Sequence, residues 1–200
     1  LGFVTEDEAK SQSDLPAEVI AAVRSIELDT DHLSVNLRGY QQFAARFALA
    51  QRKVIIGDEM GLGKTVEAIA VIAHLRAQGR HHSLVICPAA VVTNWVREVA
   101  RKSKLPSHRL HGTERQSAFR SWRDRGGVAV TTYESLPWLE GHLSGVSEIG
   151  VVVVDEAHYI KNRNSQRSAR VSSILRRSDR AILMTGTPLE NKVDEFRTLV

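Results

Sequence analysis

Val54-Ile55-Ile56-Gly57-Asp58-Glu59-Met60-Gly61-Leu62-Gly63-Lys64-Thr65 is the stretch on which the reading of this chain turns. Three β-branched apolar residues give way to a loop carrying three glycines, then to Lys-Thr and a helix-forming run. Strand, glycine loop, Lys-Thr and helix together predict a phosphate cradle. The glycines let backbone N–H groups turn inward, and the helix N-terminus adds the positive end of its dipole. Asp58 through Thr65 would form the cradle, with Lys64 reaching the β- and γ-phosphates of a nucleotide and the Thr65 hydroxyl coordinating Mg²⁺. The strict pattern wants glycine five places before Gly63, where Asp58 stands, so the loop is a variant. A glycine turn with an incidental Lys and Thr is the bland alternative, and the flanking strand and helix weigh against it.

Outward from this stretch, short apolar runs alternate with amphipathic ones. Leu84–Cys87, Val128–Val130, Val151–Val154 and Ala181–Met184 are apolar on both faces, as strands are in the middle of a parallel sheet covered by helices. Helical patterns fall at about residues 40–51, 64–78, 91–103, 114–124 and 163–176. The rhythm predicts an open α/β sheet, and in such sheets ligands gather at the carboxyl ends of the strands. Val151–Val154 ends in Asp155-Glu156-Ala157-His158. If this strand neighbours Val54–Ile56, two carboxylates stand beside the cradle. Asp155 would then hold Mg²⁺ and Glu156 would orient and deprotonate an attacking water, the positioning that phosphoryl transfer needs.

Composition fits one lobe of this kind. The 200 residues are 42% hydrophobic and 25% charged, ordinary globular values, and Cys87 is the only cysteine. No apolar run approaches the roughly 20 residues that span a bilayer, and no signal peptide is visible at the start, so no membrane partner is expected. The first residue is not Met, and the end lies in a helical pattern, as in a piece of a longer protein. The net charge of +4 hides a polarised distribution. Residues 1–31 hold eight acids against two bases, residues 97–125 nine bases against three acids, and residues 161–180 seven bases against one acid. Twenty of the 27 bases are Arg, whose planar fork suits phosphate. Composition alone does not separate a polyanion-binding surface from solvated helix faces.

Asp58-Glu-Met-Gly-Leu-Gly-Lys-Thr65, Asp155-Glu-Ala-His158 and Thr185-Gly-Thr-Pro-Leu-Glu-Asn191 together closely resemble the Swi/Snf-related ATPases, superfamily-two helicase-like enzymes that translocate on duplex DNA. The resemblance covers about residues 35–200 and matches the first of the family's two RecA-like lobes. It implies a P-loop three-layer α/β sandwich, with a mostly parallel central sheet and helices on both faces. Residues 1–34 are then an acidic leader, frayed over 1–15 and with a short helix from Pro16 to Val23. Leu37-Arg-Gly-Tyr-Gln41 looks like the family's adenine-reading motif, making Gln41 the candidate base contact; Gly39 stands where relatives commonly carry Pro. Pro88 through Trp95 is similar to a motif that faces the DNA backbone in relatives, and Thr131-Thr-Tyr-Glu134 resembles a further one.

The resemblance therefore implies the ATP-binding lobe of a double-stranded DNA translocase, using ATP and Mg²⁺ and partnered by a second RecA-like lobe that this chain lacks. Lys64, Asp155 and Glu156 are its expected catalytic residues, and Thr65 and Asp155 its metal-holding pair. His158, Thr185 and Thr187 would couple nucleotide state to DNA, although Thr-Gly-Thr-Pro is also a good strand-ending turn. Thr93, Asn94, Lys161, Asn162 and Arg163 are the expected contacts to the duplex backbone, carrying no sequence preference. Trp95 and Trp122 are read as core plugs, although Trp95 also falls in the DNA-facing motif, and Cys87 as a core residue. An RNA helicase lobe and a non-catalytic nucleotide-binding module are the rival readings. The Arg- and Ala-rich usage suits a GC-rich bacterium, which would place the protein with the nucleoid.

Overall fold

A computed structural model describes the backbone of residues 2–4, and residues 15–57, 63–146, 148–160 and 165–186 in full. Seven strands form one sheet: β1 (Gly2–Val4), β2 (Lys53–Ile56), β3 (His82–Cys87), β4 (Ser107–Leu110), β5 (Gly127–Thr132), β6 (Val151–Val154) and β7 (Ala181–Met184). Their order is β1-β2-β7-β6-β3-β5-β4, and every pairing is parallel. The expected α/β sandwich is present, with a sheet that is wholly rather than mostly parallel. Helices α1 (Ala17–Ser25), α2 (Gly39–Gln51), α3 (Lys64–Ala77), α4 (Val92–Lys102), α5 (Arg115–Arg125), α6 (Leu136–Glu140) and α7 (Gln166–Leu175) cover it.

The three layers follow from strand alternation. Along β2, Val54 and Ile56 join one apolar cluster and Ile55 the other; along β6, Val151 and Val153 part from Val152 and Val154 in the same way. The first cluster is closed by Val23 of α1, Phe43 and Phe47 of α2, Ile69 and Ile72 of α3, and Trp95 and Val99 of α4. The second is closed by Phe119 and Trp122 of α5, Leu136 and Leu139 of α6, and Val171 and Ile174 of α7. Each fully buried Val, Leu or Ile contributes about 1.5–3 kcal/mol relative to exposure, so both faces must be covered for either to hold.

One expectation about the architecture changes. Gly2–Val4, expected to be frayed, is the edge strand of the sheet, in register with Val54–Ile56. Its short apolar sequence satisfies backbone groups that β2 would otherwise present at an open edge. Residues 15–34 pack against the rest of the lobe. Val23 is 1% exposed, the Asp29 N–H donates to His74 Nδ1 (3.0 Å), and Leu33 bridges to Ser103. Burial is the largest influence on His74 and lowers its pKa, in keeping with an imidazole that accepts this bond. Residues 5–14 lie outside the described residues.

Candidate nucleotide-binding site

The carboxyl ends of β6 and β7 open on one cavity of roughly 630 Å³, of the size that small-molecule sites have. Gly63, Lys64, Thr65 and Val66 border it from the start of α3, Arg38, Tyr40 and Gln41 from the start of α2, and Asp155 and Glu156 from the end of β6. From sequence, the carboxylate pair reaches the cradle if β6 neighbours β2. The structure inserts β7 between them, which separates the two strands by about 9–10 Å across the sheet. The cradle helix and the carboxylate pair still meet, because the cavity spans the end of the intervening strand at Met184.

Gly63 caps α3 with φ +96°, and the N–H groups of Val66 and Glu67 bond back to its carbonyl at 2.8 and 3.2 Å. Only glycine suits this place. A Cβ there would sit 2.6 Å from Gln41 Nε2, and the φ is one that L side chains rarely adopt. Gln41, 8% exposed, closes a reciprocal cap on α2, accepting the Arg38 N–H on Oε1 at 3.0 Å. Its amide nitrogen therefore faces the cradle glycine. Asp58, Glu59, Met60, Gly61 and Leu62 lie outside the described residues, so of the predicted cradle the structure places Gly63, Lys64 and Thr65.

The acidic turn is held from several directions. Asp155 Oδ2 accepts the Trp95 indole N–H at 2.7 Å and Oδ1 accepts the Glu156 N–H at 2.9 Å. The Asp155 N–H donates to Ile86 O at 2.8 Å. The Tyr133 hydroxyl donates to Asp155 O at 2.6 Å and lies 3.5 Å from Glu156 O. Glu156 has φ +51°, one of two non-glycine residues with positive φ among those described. Burial raises the Asp155 pKa, while the Trp95 and Glu156 N–H bonds and the charge of Lys64 act against that shift. Burial pushes the Tyr133 phenol and the Cys87 thiol far above their ordinary ranges, and Cys87 is the core residue the sequence suggested.

Trp95 and Tyr133 are the residues whose part here the sequence reading missed. They follow β3 and β5, and β3 pairs with both β5 and β6, so the chain leaving these two strands flanks Asp155. The available signal was an aromatic in each motif directly after a buried strand.

Two oxygen donors of opposite kind, the Thr65 hydroxyl and the Asp155 carboxylate, border the cavity. No cluster of three or more His, Cys, Asp or Glu suited to a metal occurs among the described residues. This donor set fits Mg²⁺, which keeps several waters and takes one or two carboxylates plus phosphate oxygens rather than a full protein cage. Each Asp155 oxygen accepts one protein hydrogen bond and keeps a further lone pair.

The remaining predicted residues are placed unevenly. His158 Nδ1 lies 3.1 Å from Glu156 Oε2 but is not aligned for a hydrogen bond. Glu156 is thus a near neighbour of His158. Thr185 is buried at the end of β7 with its N–H on Ile56 O (3.0 Å), and Thr187 lies outside the described residues. His158 and Gly186 do share the border of a second cavity of about 370 Å³. Thr93 and Asn94 are exposed on the first turn of α4; Asn94 accepts from Arg97 at 2.7 Å and borders the nucleotide cavity. Lys161, Asn162 and Arg163 lie outside the described residues. Within the basic segment that follows, Arg167 pairs with Glu134 (3.2 Å), Arg170 with Glu140 (2.7 Å), and Arg177 and Arg180 bond to Leu143 O and Leu49 O. Part of its charge is thus spent inside the lobe.

Comparison with known proteins gives a consistent picture. Residues 36–200 match the SNF2-related domain. The chain is 33% identical over 208 residues to ATP-dependent helicase fft2 of Schizosaccharomyces pombe, covering 96% of this chain and 16% of the yeast protein. It is 30% identical to Chromodomain-helicase-DNA-binding protein 6 of Rattus norvegicus, covering 90% of this chain and 7% of the rat protein. The fold matches that of the Sulfolobus solfataricus SWI2/SNF2 ATPase core in complex with dsDNA, with a TM-score of 0.73 and 30% identity over 87% of this chain and 37% of that one. The chain thus spans less than a fifth of either relative and well under half of the archaeal core. These relatives are eukaryotic and archaeal and lend no support to the bacterial origin that residue usage suggests. No helix among the described residues is long and apolar enough to cross a membrane.

Proposed function

Because the chain belongs to the SNF2-related domain family, we propose that it is the ATP-binding lobe of an ATP-dependent translocase on double-stranded DNA. The observation that carries this reading is the single cavity bordered by Gln41, Gly63, Lys64, Thr65, Asp155 and Glu156, residues far apart in the chain. Gln41 contacts the adenine. Asp58 through Thr65 wrap the phosphates, with Lys64 against the β- and γ-phosphates. Thr65 and Asp155 hold Mg²⁺, which when bound neutralises phosphate charge. Glu156 orients the attacking water and takes its proton, the remaining work being positioning and electrostatic stabilisation.

His158, Thr185 and Thr187 relay the nucleotide state from this cleft toward the DNA. Thr93, Asn94, Lys161, Asn162 and Arg163 touch the duplex backbone without reading bases, an interaction that weakens steeply with salt. A second RecA-like lobe of the same protein closes the cleft over the nucleotide. The protein works where chromosomal DNA lies, in nucleus or nucleoid.

The decisive experiment is steady-state ATP hydrolysis by the full-length protein with duplex DNA or structured RNA added. Stimulation by duplex DNA alone is expected. Stimulation by RNA alone would make this the lobe of an RNA helicase. Nucleotide binding without hydrolysis under any addition would make it a binding module.

A further inference from the structure

We infer that Trp95 is a positioning residue for the metal-holding carboxylate, linking the exposed first turn of α4 to Asp155 through its indole N–H. The inference rests on the proposed role of Asp155 and extends it to a residue that touches neither nucleotide nor metal.

Trp95 is 1% exposed, and an indole nitrogen can only donate. Buried tryptophans need an acceptor for that N–H, and a backbone carbonyl usually serves. Trp122 is such a case: fully buried, it donates to Gly127 O at 3.1 Å, far from the cavity. Trp95 instead donates to a carboxylate, at a shorter 2.7 Å, as bonds to an ionised acceptor are.

The bond is one of two that fix the Asp155 side chain. Oδ2 is held by Trp95 and Oδ1 by the N–H of Glu156, so the carboxylate plane is pinned at both oxygens. Tyr133 fixes the backbone of the same residue from the β5 side. Without the indole N–H, one oxygen loses its only described protein donor and the plane is free to turn about its Cβ–Cγ bond. A torsion of this kind is broad, so nothing intrinsic to the side chain restores the lost orientation.

The location of the donor gives the link its meaning. Trp95 shares its helical turn with Thr93 and Asn94, which face solvent while the indole points inward. Asn94 is also at the border of the nucleotide cavity. A shift of this turn, whatever binds its outer face, moves the donor that orients Asp155. Groups that orient a metal ligand in this way commonly set metal affinity by ten- to a hundredfold.

The test compares two tryptophans in the full-length protein. Trp95→Phe removes the N–H and keeps a ring; Trp122→Phe does the same where no carboxylate is involved. Binding of a fluorescent ATP analogue is followed by polarisation as Mg²⁺ is titrated, with a second measurement in excess EDTA and a thermal melt of each variant. Trp95→Phe is expected to raise the Mg²⁺ concentration for half-maximal binding roughly tenfold or more. Binding in EDTA should be unchanged, and Trp122→Phe should lower the melting temperature without moving the titration. In an Asp155→Asn background, adding Trp95→Phe should produce no further shift. Equal titration curves for the two Trp variants, or full additivity with Asp155→Asn, would overturn the inference. If Asp155→Asn alone leaves the titration where it was, the assignment of Asp155 falls first and this inference falls with it.

Discussion

Gly63, at the start of α3, and Glu156, two residues past β6, border the same cavity, and each has a left-handed backbone: φ +96° at one, +51° at the other. They solve that demand differently. At the proposed cradle the residue carries no side chain, and the conformation comes without a steric penalty. At the acidic turn a glutamate, the proposed base, occupies a conformation that costs an L residue about 1–2 kcal/mol. The offset is visible around it: the Glu156 N–H on Asp155 Oδ1, the Tyr133 hydroxyl on the Asp155 carbonyl, and Trp95 on the Asp155 carboxylate. A cradle can be unstrained where backbone suffices, and strain collects where a side chain must be aimed.

Removing chemistry from either side without touching backbone should give the largest effects. Lys64→Ala leaves the helix start intact and removes the charge proposed to meet the phosphates. Charge-assisted hydrogen bonds contribute about 1.5–3 kcal/mol each, so nucleotide affinity should fall at least about a hundredfold in an equilibrium binding assay. Unchanged affinity would break the assignment of this region as a cradle. On the other side, Glu156→Gln keeps shape and burial and removes the proposed base. Hydrolysis should drop roughly a hundred- to ten-thousand-fold while nucleotide affinity stays within about twofold of wild type. Normal turnover in single-turnover kinetics would show that water activation lies elsewhere.

How far these two regions could be read from sequence differs in the same way. A glycine before Lys-Thr announces its own backbone requirement, and the apolar runs of β2, β3, β5, β6 and β7 announce a covered parallel sheet. Glu156 announces nothing, because a positive φ at a non-glycine residue has no compositional mark. The Trp95 bond was hidden for a related reason: it depends on β3 lying between β5 and β6, and strand order is a long-range property that local pattern does not carry. The insertion of β7 between β2 and β6 escaped for the same reason. β4 carries no apolar run of the kind that marks β3, since His82–Cys87 is buried almost throughout and Ser107–Leu110 only at Leu110. The three residues of β1 owe their place to the open edge of β2 and not to their own pattern.

Smaller effects test the backbone side of the comparison. Gly63→Ala places a Cβ 2.6 Å from Gln41 Nε2 and asks alanine for φ +96°. Chemical denaturation should show a loss of about 1–3 kcal/mol. Shortening the neighbour with Gln41→Ser in the same chain should return only the part due to the clash, since the dihedral demand remains. Full recovery would mean that the contact with Gln41, not the left-handed conformation, is what requires glycine there.

The smallest expected effect runs in the opposite direction. Glu156→Gly relieves the left-handed penalty of about 1–2 kcal/mol but adds about 0.5–1 kcal/mol of backbone entropy to the unfolded chain. The variant should therefore be more stable than wild type by up to about 1.5 kcal/mol in denaturant titration, while hydrolysing ATP no better than Glu156→Gln. Such a gain in a disabled protein would identify the strain as something retained for the side chain alone. A loss of stability would mean that Glu156 holds the turn through its own contacts, His158 Nδ1 at 3.1 Å being the nearest described. The Trp95 and Tyr133 bonds to Asp155 would then not be offsetting a strained neighbour.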